Sequence, residues 1–178
     1  EVNVWEVIEL ANRHPRVDIL TPGPGVGGHC IAIDPWFIVS SAPESAPLIT
    51  AARGVNDGKP GHIAQRAAAS LKEADTRPIA CLGLAYKANI DDLRESPAIA
   101  VVRDLSALTE RTLLLVEPHI ETLPGLLAEI ATAELCDLED AVSRAGTILL
   151  LTDHSAFKSI EKSTLADKVL IDTRGMWR

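Results

Sequence analysis

The stretch Pro78-Ile-Ala-Cys-Leu-Gly-Leu84 decides the fold class of this chain. Further apolar runs follow it at residues 112–116, 147–151 and 168–171, and turn residues bound each of them. Short apolar runs without alternation are typical of strands that are buried on both faces, as in a parallel sheet. The sequence therefore predicts a parallel β-sheet in the second part of the chain.

Amphipathic helices are predicted between these strands. Ser96 is a typical N-cap and Pro97 a typical first helical residue, and the apolar face that follows extends to Leu108. A second helix is predicted within residues 123–130 and a third after the cap residue Asp137. The alternation of strands and helices predicts βαβ units and an α/β fold. Right-handed crossovers place a ligand beyond the carboxyl ends of such strands.

The first part of the chain is predicted to be helical and interrupted by a loop. Four apolar residues at i, i+3, i+4 and i+7 predict one buried helix face: Val4, Val7, Ile8 and Ala11. Lys59-Pro60 is predicted to open another helix, with Ile63 and Ala67 on its apolar face. Residues 21–28, here called the glycine loop, are too rich in glycine and proline for regular structure. We therefore expect two parts, residues 1–75 and 76–178.

Composition excludes several classes of function. The chain has 178 residues and a net charge of −8, and its three tryptophans, one tyrosine and two phenylalanines offer few stacking surfaces, so we expect no nucleic acid partner. No apolar run approaches the ~20 residues of a membrane span and no secretion leader is visible, so we expect no membrane partner. The three cysteines form no CxxC pair. We therefore expect neither a metal site nor a disulfide framework, and a reducing, cytoplasmic compartment.

The glycine loop contains Gly23-Pro-Gly-Val-Gly-Gly28, which matches the GxGxxG pattern of dinucleotide-binding loops. We reject that interpretation, because the pattern requires a preceding strand, and here no apolar run precedes the glycines. The loop is either a structural turn or a segment whose backbone lies flat against a ligand. The residues that follow it favour a ligand.

Those residues place a thiol near a carboxylate. Asp34 follows Cys30 at i+4, where a helical turn puts both on one face. A thiol and a carboxylate on one face suit covalent attack followed by base-assisted release. The alternative for Cys30 is a small buried hydrophobe, which is the commoner role of a free cysteine and the one expected for Cys81 and Cys136.

A second candidate segment follows the first predicted strand and carries Tyr86, Lys87 and Arg94. Arg174 follows the last predicted strand, at the same edge of the sheet. Cations that converge at this edge suit phosphate recognition, and the alternative is a solvated loop with surface charges. His154, at another strand end, is expected to be a hydrogen-bonded loop histidine rather than a ligand contact.

Together these segments resemble the UDP-glucose and UDP-N-acetylmannosamine dehydrogenase family. Gly23-Pro-Gly-Val-Gly-Gly-His-Cys-Ile-Ala-Ile-Asp-Pro35 resembles the family's catalytic-cysteine loop. Three further stretches resemble the other signatures of the family: Gly83-Leu-Ala-Tyr-Lys87, Asp92-Leu-Arg-Glu-Ser-Pro97 and Ile171-Asp-Thr-Arg174. The resemblance implies a Rossmann-like, UDP-binding C-terminal domain at residues 76–178, preceded at residues 1–75 by part of a central dimerisation domain.

The resemblance also implies an NAD-dependent oxidation of the C6 alcohol of a UDP-sugar to a carboxylate. Cys30 would carry the thiohemiacetal and thioester intermediates, Asp34 would assist, and Arg94 would contact NAD. The residues implied to bind the substrate are His14, Arg16, Thr21, Gly25, Gly27, Tyr86, Lys87 and Arg174. Of these, His14 and Arg16 would reach the substrate of a neighbouring subunit, so we expect a homodimer.

The family's N-terminal NAD-binding domain has no counterpart in this sequence. We therefore expect the chain to be the C-terminal part of such an enzyme and to be inactive by itself. His29 and the segment Asp34-Pro-Trp-Phe37 resemble the N-acetylmannosamine branch, with UDP-glucose or UDP-N-acetylglucosamine as alternative substrates. A non-catalytic module for nucleotide-sugar binding or dimerisation is the alternative from another class.

Overall fold

The computed structural model describes residues 2–177 and contains one sheet of five strands. The strands are β1 (Ile79–Leu82), β2 (Leu113–Val116), β3 (Ala133–Leu135), β4 (Thr147–Leu150) and β5 (Val169–Asp172). Their order is β3-β2-β1-β4-β5, and every pairing is parallel. The α/β fold class and the strands predicted from the apolar runs are confirmed.

Burial explains which strands the sequence pattern predicts. Every residue of β1, β2 and β4 is buried, as expected for central strands of a parallel sheet covered on both faces. The sequence pattern does not predict β3, because Ala133-Glu-Leu135 is short, contains a charged residue and is half-buried at the sheet edge.

Six α-helices lie in the described chain. They are α1 (Val4–Ala11), α2 (Cys30–Ser41), α3 (Pro47–Ala69), α4 (Pro97–Ser106), α5 (Gly125–Ala128) and α6 (Leu138–Arg144). The start of α4 is confirmed, since the Ser96 hydroxyl accepts a hydrogen bond of 3.2 Å from the Ala98 N–H. The helix predicted within residues 123–130 shrinks to α5, because Pro124 precedes it in extended backbone and Leu126 remains 70% exposed.

The helix predicted to open at Lys59-Pro60 begins instead at Pro47, so that prediction is wrong. Pro60 lies inside α3 and is buried there. An internal proline lacks the N–H of one helical hydrogen bond and is costly in isolation. Here α3 packs along α4 through Ile63 and Ala67, and this burial outweighs the loss.

The helix predicted near the N-terminus is confirmed as α1, but its predicted buried face is not. None of its residues is buried, and Val4 and Val7 are 52% and 46% exposed. The other two residues of that face, Ile8 and Ala11, are half-buried. Trp5 anchors the helix instead, because its ring packs against Gly175, whose φ of +71° is available to glycine without strain.

The sheet carries an apolar core on each of its faces. One core joins α3 and α4 to the sheet, and the other lies beneath α6 and Phe157. Since all strands are parallel, the loops after β1, β2, β4 and β5 lie at one edge of the sheet. Among residues 2–177, no helix combines the length and apolar character needed to cross a bilayer.

Candidate functional site

The glycine loop packs against the carboxyl edge of the sheet. The Cα of Gly23 faces the Arg174 guanidinium, and that of Gly28, with φ +90°, faces the Tyr86 ring. Gly25 and Gly27 face Pro97, and Gly27 also faces the Glu95 carbonyl. Side chains at these positions would collide with the protein, so the glycines allow the loop to approach the α/β part.

The middle of the loop is fixed by a side chain that sequence reasoning missed. The Asn56 amide accepts a hydrogen bond of 2.8 Å from the Val26 N–H and donates one of 3.2 Å to the Val26 carbonyl. Asn56 also donates to Asp57 (3.1 Å), which pairs with the buried Arg53 at 2.5 Å. No pattern in the sequence singles out Asn56, because the Val26 backbone that it binds lies 30 residues away in the chain.

The predicted thiol and carboxylate come together. Cys30 is the first residue of α2, and its side chain is exposed. Asp34 lies one helical turn later, and both residues line a cavity of about 370 Å³ with Ile31, Pro35, Ile38 and Ile49. The His29 ring lies beside the thiol, with Nδ1 3.9 Å from Sγ. The arrangement offers a nucleophile and a proton-accepting group in one cavity.

The other two cysteines differ in their surroundings. Cys81 is fully buried, and burial raises the pKa of its thiol to about 12. Burial, with the carboxylates of Asp140 and Glu134, raises the pKa of Cys136 to about 11. Because a thiolate is the reactive form, neither thiol suits nucleophilic chemistry near neutral pH. The burial expected for Cys81 is confirmed, whereas Cys136 is only half-buried.

Tyr86 and Lys87 lie in the loop after β1, residues 83–96, here called the edge loop. Tyr86 is half-buried beneath Gly28, and Lys87 is exposed. Arg174 follows β5, and its Nε donates a hydrogen bond of 2.9 Å to the Asp153 carboxylate. Its guanidinium therefore has a fixed direction at the edge that the glycine loop covers.

Arg94 occupies the outer part of the edge loop. Its side chain is 70% exposed and pairs with Asp92 at 2.6 Å. Hydrogen bonds from Arg94 lower the pKa of Asp92 to about 2, and the nearby charge of His29 contributes. Both arginines among the predicted cations, Arg94 and Arg174, are thus paired with a carboxylate.

His14 and Arg16, between α1 and the glycine loop, are exposed, and so is Thr21, the first residue of that loop. The His14 Nδ1 accepts a hydrogen bond of 3.2 Å from the Arg16 N–H. Within residues 2–177, none of the three makes a hydrogen bond or ion pair to the edge loop or to Cys30. The structure therefore does not bring this predicted group to the cavity beside Cys30.

Two buried groups support the edge loop from below. His154 and Glu117 form a hydrogen bond of 3.0 Å, and both side chains have 0% exposure. The expectation of a hydrogen-bonded loop histidine is confirmed for His154. Sequence reasoning missed Glu117, although an acidic residue directly after a buried strand is an unusual signal.

Two clusters bring together groups able to bind a metal ion. Glu117, His119 and His154 place their ligand atoms within 4.8 Å of one another. However, Glu117 Oε2 and both ring nitrogens of His154 already form hydrogen bonds within the protein. The carboxylates of Glu134 and Asp140, in the second cluster, both bind Arg144. The geometry favours hydrogen bonding over metal binding in both clusters.

Comparison with known protein families decides the relationship. The model of the UDP-binding domain of the UDP-glucose/GDP-mannose dehydrogenase family matches residues 80–178, and that of its central domain matches residues 1–58. The chain belongs to this family. The resemblance seen in the signature stretches is therefore confirmed.

Relatives in the family are similar over nearly the whole chain. The NDP-N-acetyl-D-galactosaminuronic acid dehydrogenase of Ralstonia solanacearum is 56% identical over 99% of this chain and 41% of its own length. The UDP-N-acetyl-D-mannosamine dehydrogenase of Yersinia pestis is 50% identical over 99% of this chain and 44% of its own. The chain thus spans about two fifths of the length of these relatives.

A solved structure agrees with the fold. The UDP-D-ManNAc dehydrogenase of Pyrococcus horikoshii superimposes with a TM-score of 0.80 at 37% identity, covering 99% of this chain and 41% of that one. The family members to which this chain is similar are therefore nucleotide-sugar dehydrogenases.

Proposed function

We propose that this chain is the C-terminal part of an NAD-dependent UDP-sugar 6-dehydrogenase. The observation that carries the proposal is the position of Cys30 and Asp34 in one cavity, at the end of a loop that packs on Tyr86 and Arg174. The glycine loop thereby connects the proposed nucleophile with the proposed phosphate-binding residue Arg174. The family relationship supports the same reaction class.

In the proposed reaction, Cys30 acts after the C6 alcohol has become an aldehyde. Its thiolate adds to the aldehyde carbon to form a thiohemiacetal, and a second oxidation converts this adduct to a thioester. Asp34 assists the attack of water, which releases the carboxylate and restores the thiol. The position of Cys30 in the first turn of α2 suits this role, because a helix N-terminus favours nearby negative charge.

Arg174 and Lys87 bind the diphosphate of the UDP-sugar, and the glycine loop, with Thr21, Gly25 and Gly27, lies along it. Charge-assisted hydrogen bonds to phosphate require donors of fixed direction. The bond from Arg174 to Asp153 fixes that guanidinium. The Tyr86 ring packs beneath Gly28 of this loop and supports it.

NAD, when bound, supplies the hydride acceptor for both oxidations. Arg94 suits a contact with its anionic groups, because the guanidinium is exposed and, among the described residues, its Nη1 makes no hydrogen bond. The rest of the cofactor site belongs to the part of the relatives' length that this chain does not span.

The sugar is an N-acetylated hexosamine in this proposal. The first candidate is UDP-N-acetylmannosamine, supported by the relatives of that name at 48–50% identity. The second is the corresponding N-acetylgalactosamine nucleotide, supported by relatives named NDP-N-acetyl-D-galactosaminuronic acid dehydrogenase at 55–56% identity. Relative kcat/KM values for the two substrates, with UDP-glucose as the third, decide between them.

A homodimer in a reducing, cytoplasmic compartment completes the proposal. Large apolar side chains on α2 and α3 are exposed, with Phe37 at 67%, Leu48 at 80% and Val55 at 77%. Several exposed large apolar side chains on two neighbouring helices are typical of a protein interface. His14 and Arg16 then reach the substrate of the second copy. Light scattering of the full-length protein tests the assembly.

The test of the reaction uses the full-length protein. Incubation with NAD and UDP-N-acetylmannosamine is expected to give the uronate and two NADH per sugar, since the conversion removes four electrons. Cys30→Ser is expected to abolish acid formation, whereas Cys136→Ser, at a half-buried cysteine outside the cavity, retains it. Acid formation by Cys30→Ser at the wild-type rate would refute the role of the thiol.

A further inference from the structure

Two buried polar side chains lie beneath the edge loop, and the proposed reaction uses neither. Glu117 directly follows β2, and His154 lies in the loop after β4. Both are fully shielded from solvent. Burying a carboxylate and an imidazole costs folding free energy unless both groups form hydrogen bonds. The partners in those hydrogen bonds therefore indicate which part of the structure the two side chains stabilise.

Glu117 holds the beginning of the edge loop. Its Oε2 accepts backbone N–H groups from Leu84 at 2.7 Å and from Ala85 at 2.9 Å. The same oxygen lies 3.0 Å from Nε2 of His154. One carboxylate oxygen thereby fixes the two residues that precede Tyr86.

His154 holds the far end of the same segment. Its Nδ1 accepts a hydrogen bond of 3.0 Å from the Asn89 N–H. Since Nδ1 accepts, the ring proton is on Nε2 and is donated to Glu117. Asn89 is in the left-handed region, with φ 62°, and it exchanges two hydrogen bonds with Ser155 that keep it there.

We propose that Glu117 and His154 are positioning residues that clamp both ends of residues 84–89 and thereby present Tyr86 and Lys87 to the UDP-sugar. The inference rests on the proposed function, which assigns substrate binding to these two residues. The pair acts through the loop backbone and touches no substrate, because both side chains are buried whereas Lys87 is exposed.

Two substitutions of His154 separate the two ends of the clamp. His154→Gln can still donate to Glu117 and loses the acceptor for Asn89, whereas His154→Asn keeps an acceptor near Nδ1 and loses the donor. In the full-length enzyme, we expect His154→Gln to raise KM for the UDP-sugar about tenfold, with KM for NAD changed less than about twofold. His154→Asn is expected to raise KM for the UDP-sugar less.

The matched control is Leu113→Ala, at the opposite end of β2 from Glu117. It destabilises the same sheet by opening a cavity and leaves every contact of the clamp in place. We expect a lower melting temperature and a wild-type KM. If His154→Gln also lowers the melting temperature and leaves both KM values unchanged, its role is structural and the proposal is wrong.

Amide hydrogen exchange gives a readout that does not depend on activity. In His154→Gln, exchange of the Asn89 amide is expected to accelerate at least about tenfold while those of Leu84 and Ala85 stay protected. Unchanged protection of Asn89 would overturn the clamp. If the wild-type enzyme oxidises no UDP-sugar, the proposed function fails while the exchange result still shows whether the clamp exists.

Discussion

The Cα of Gly28 faces the ring of Tyr86 so closely that a Cβ on Gly28 would lie 2.8 Å from the ring carbon Cε2. This contact joins the two halves of the candidate site, because Gly28 leads into Cys30 and Tyr86 lies in the clamped part of the edge loop. The position of the thiol therefore depends on the absence of a side chain at residue 28.

Gly28→Ala is expected to separate the glycine loop from Tyr86. Alanine adds a clash with the ring and is strained at φ +90°, which together cost about 2 kcal/mol or more of folding free energy. In the full-length enzyme we also expect kcat to fall, since Cys30 moves with the loop. Urea unfolding and steady-state kinetics measure the two effects.

Gly54→Ala is the control for this prediction. Gly54 lies inside α3, and no atom lies within 4 Å of a Cβ built there. Alanine is the better helix former by about 0.5–1 kcal/mol, so we expect equal or greater stability and unchanged kinetics. A Gly28→Ala enzyme that behaved like this control would contradict the importance of the close approach.

Cys30 is expected to be the thiol that alkylates first. It is exposed, whereas burial raises the pKa of Cys81 to about 12 and that of Cys136 to about 11. Iodoacetamide at about pH 8 followed by peptide mass spectrometry should label Cys30 at least about tenfold faster than either of the others. Faster labelling of Cys136 would show that its surroundings are more open than the structure indicates.

The central strands could be predicted because strands buried on both faces are continuous apolar runs in the sequence. The same method fails for β3, whose edge position leaves no such run, and for Pro60, where packing of α3 on α4 overrides a local helix-breaking signal. The prediction that the apolar face of α1 is buried is also wrong, because apolar periodicity identifies a helix but not whether another element covers it.

The candidate site was predictable where chemistry is local in sequence. Cys30 and Asp34 are four residues apart, and one helical turn brings them together. Contacts between distant segments were not predictable: Asn56 on Val26, Asp153 on Arg174 and Glu117 beneath Leu84 depend on the tertiary fold. The sequence does not reveal which backbone group an isolated polar side chain will bind.

Arg174→Ala is expected to weaken UDP binding to the full-length protein about tenfold or more, because a charge-assisted contact to phosphate is lost. Arg174→Lys should recover part of the affinity, since lysine keeps the charge and loses the planar fork. Isothermal titration with UDP measures both. Arg144→Ala, which removes an arginine of α6 that pairs with Glu134 of β3 and with Asp140, serves as the control and should bind UDP normally.

Stability should depend on pH through Glu117. Burial raises the pKa of this carboxyl, but hydrogen bonds from His154, Leu84 and Ala85 lower it, and the net pKa is below its ordinary value of 4.5. A carboxyl whose pKa is lower in the folded state than in the unfolded state stabilises the fold at a pH above its unfolded-state pKa. This stabilisation is lost as the pH falls through the folded-state pKa. We expect Glu117→Gln to be less stable by about 2 kcal/mol near neutral pH. In urea unfolding, this difference should narrow from about pH 4.5 downward; a difference that widens in acid would contradict the assignment.

Asn56 is expected to control the position of Cys30 through the backbone of the glycine loop. Its amide both accepts from and donates to Val26, so Asn56→Asp keeps the acceptor and replaces the donor with a charged oxygen facing the Val26 carbonyl and Asp57. The loop should detach from α3, because two acceptors would face each other without a proton between them. We expect exchange of the Val26 amide to accelerate and kcat of the full-length enzyme to fall about tenfold, since a displaced thiol attacks poorly.

Thr50→Ala is the control on the same helix, because its hydroxyl binds the Ala46 carbonyl and does not reach the loop. Wild-type kcat in Asn56→Asp would show that the loop is held by its contacts with Tyr86 and Arg174 alone.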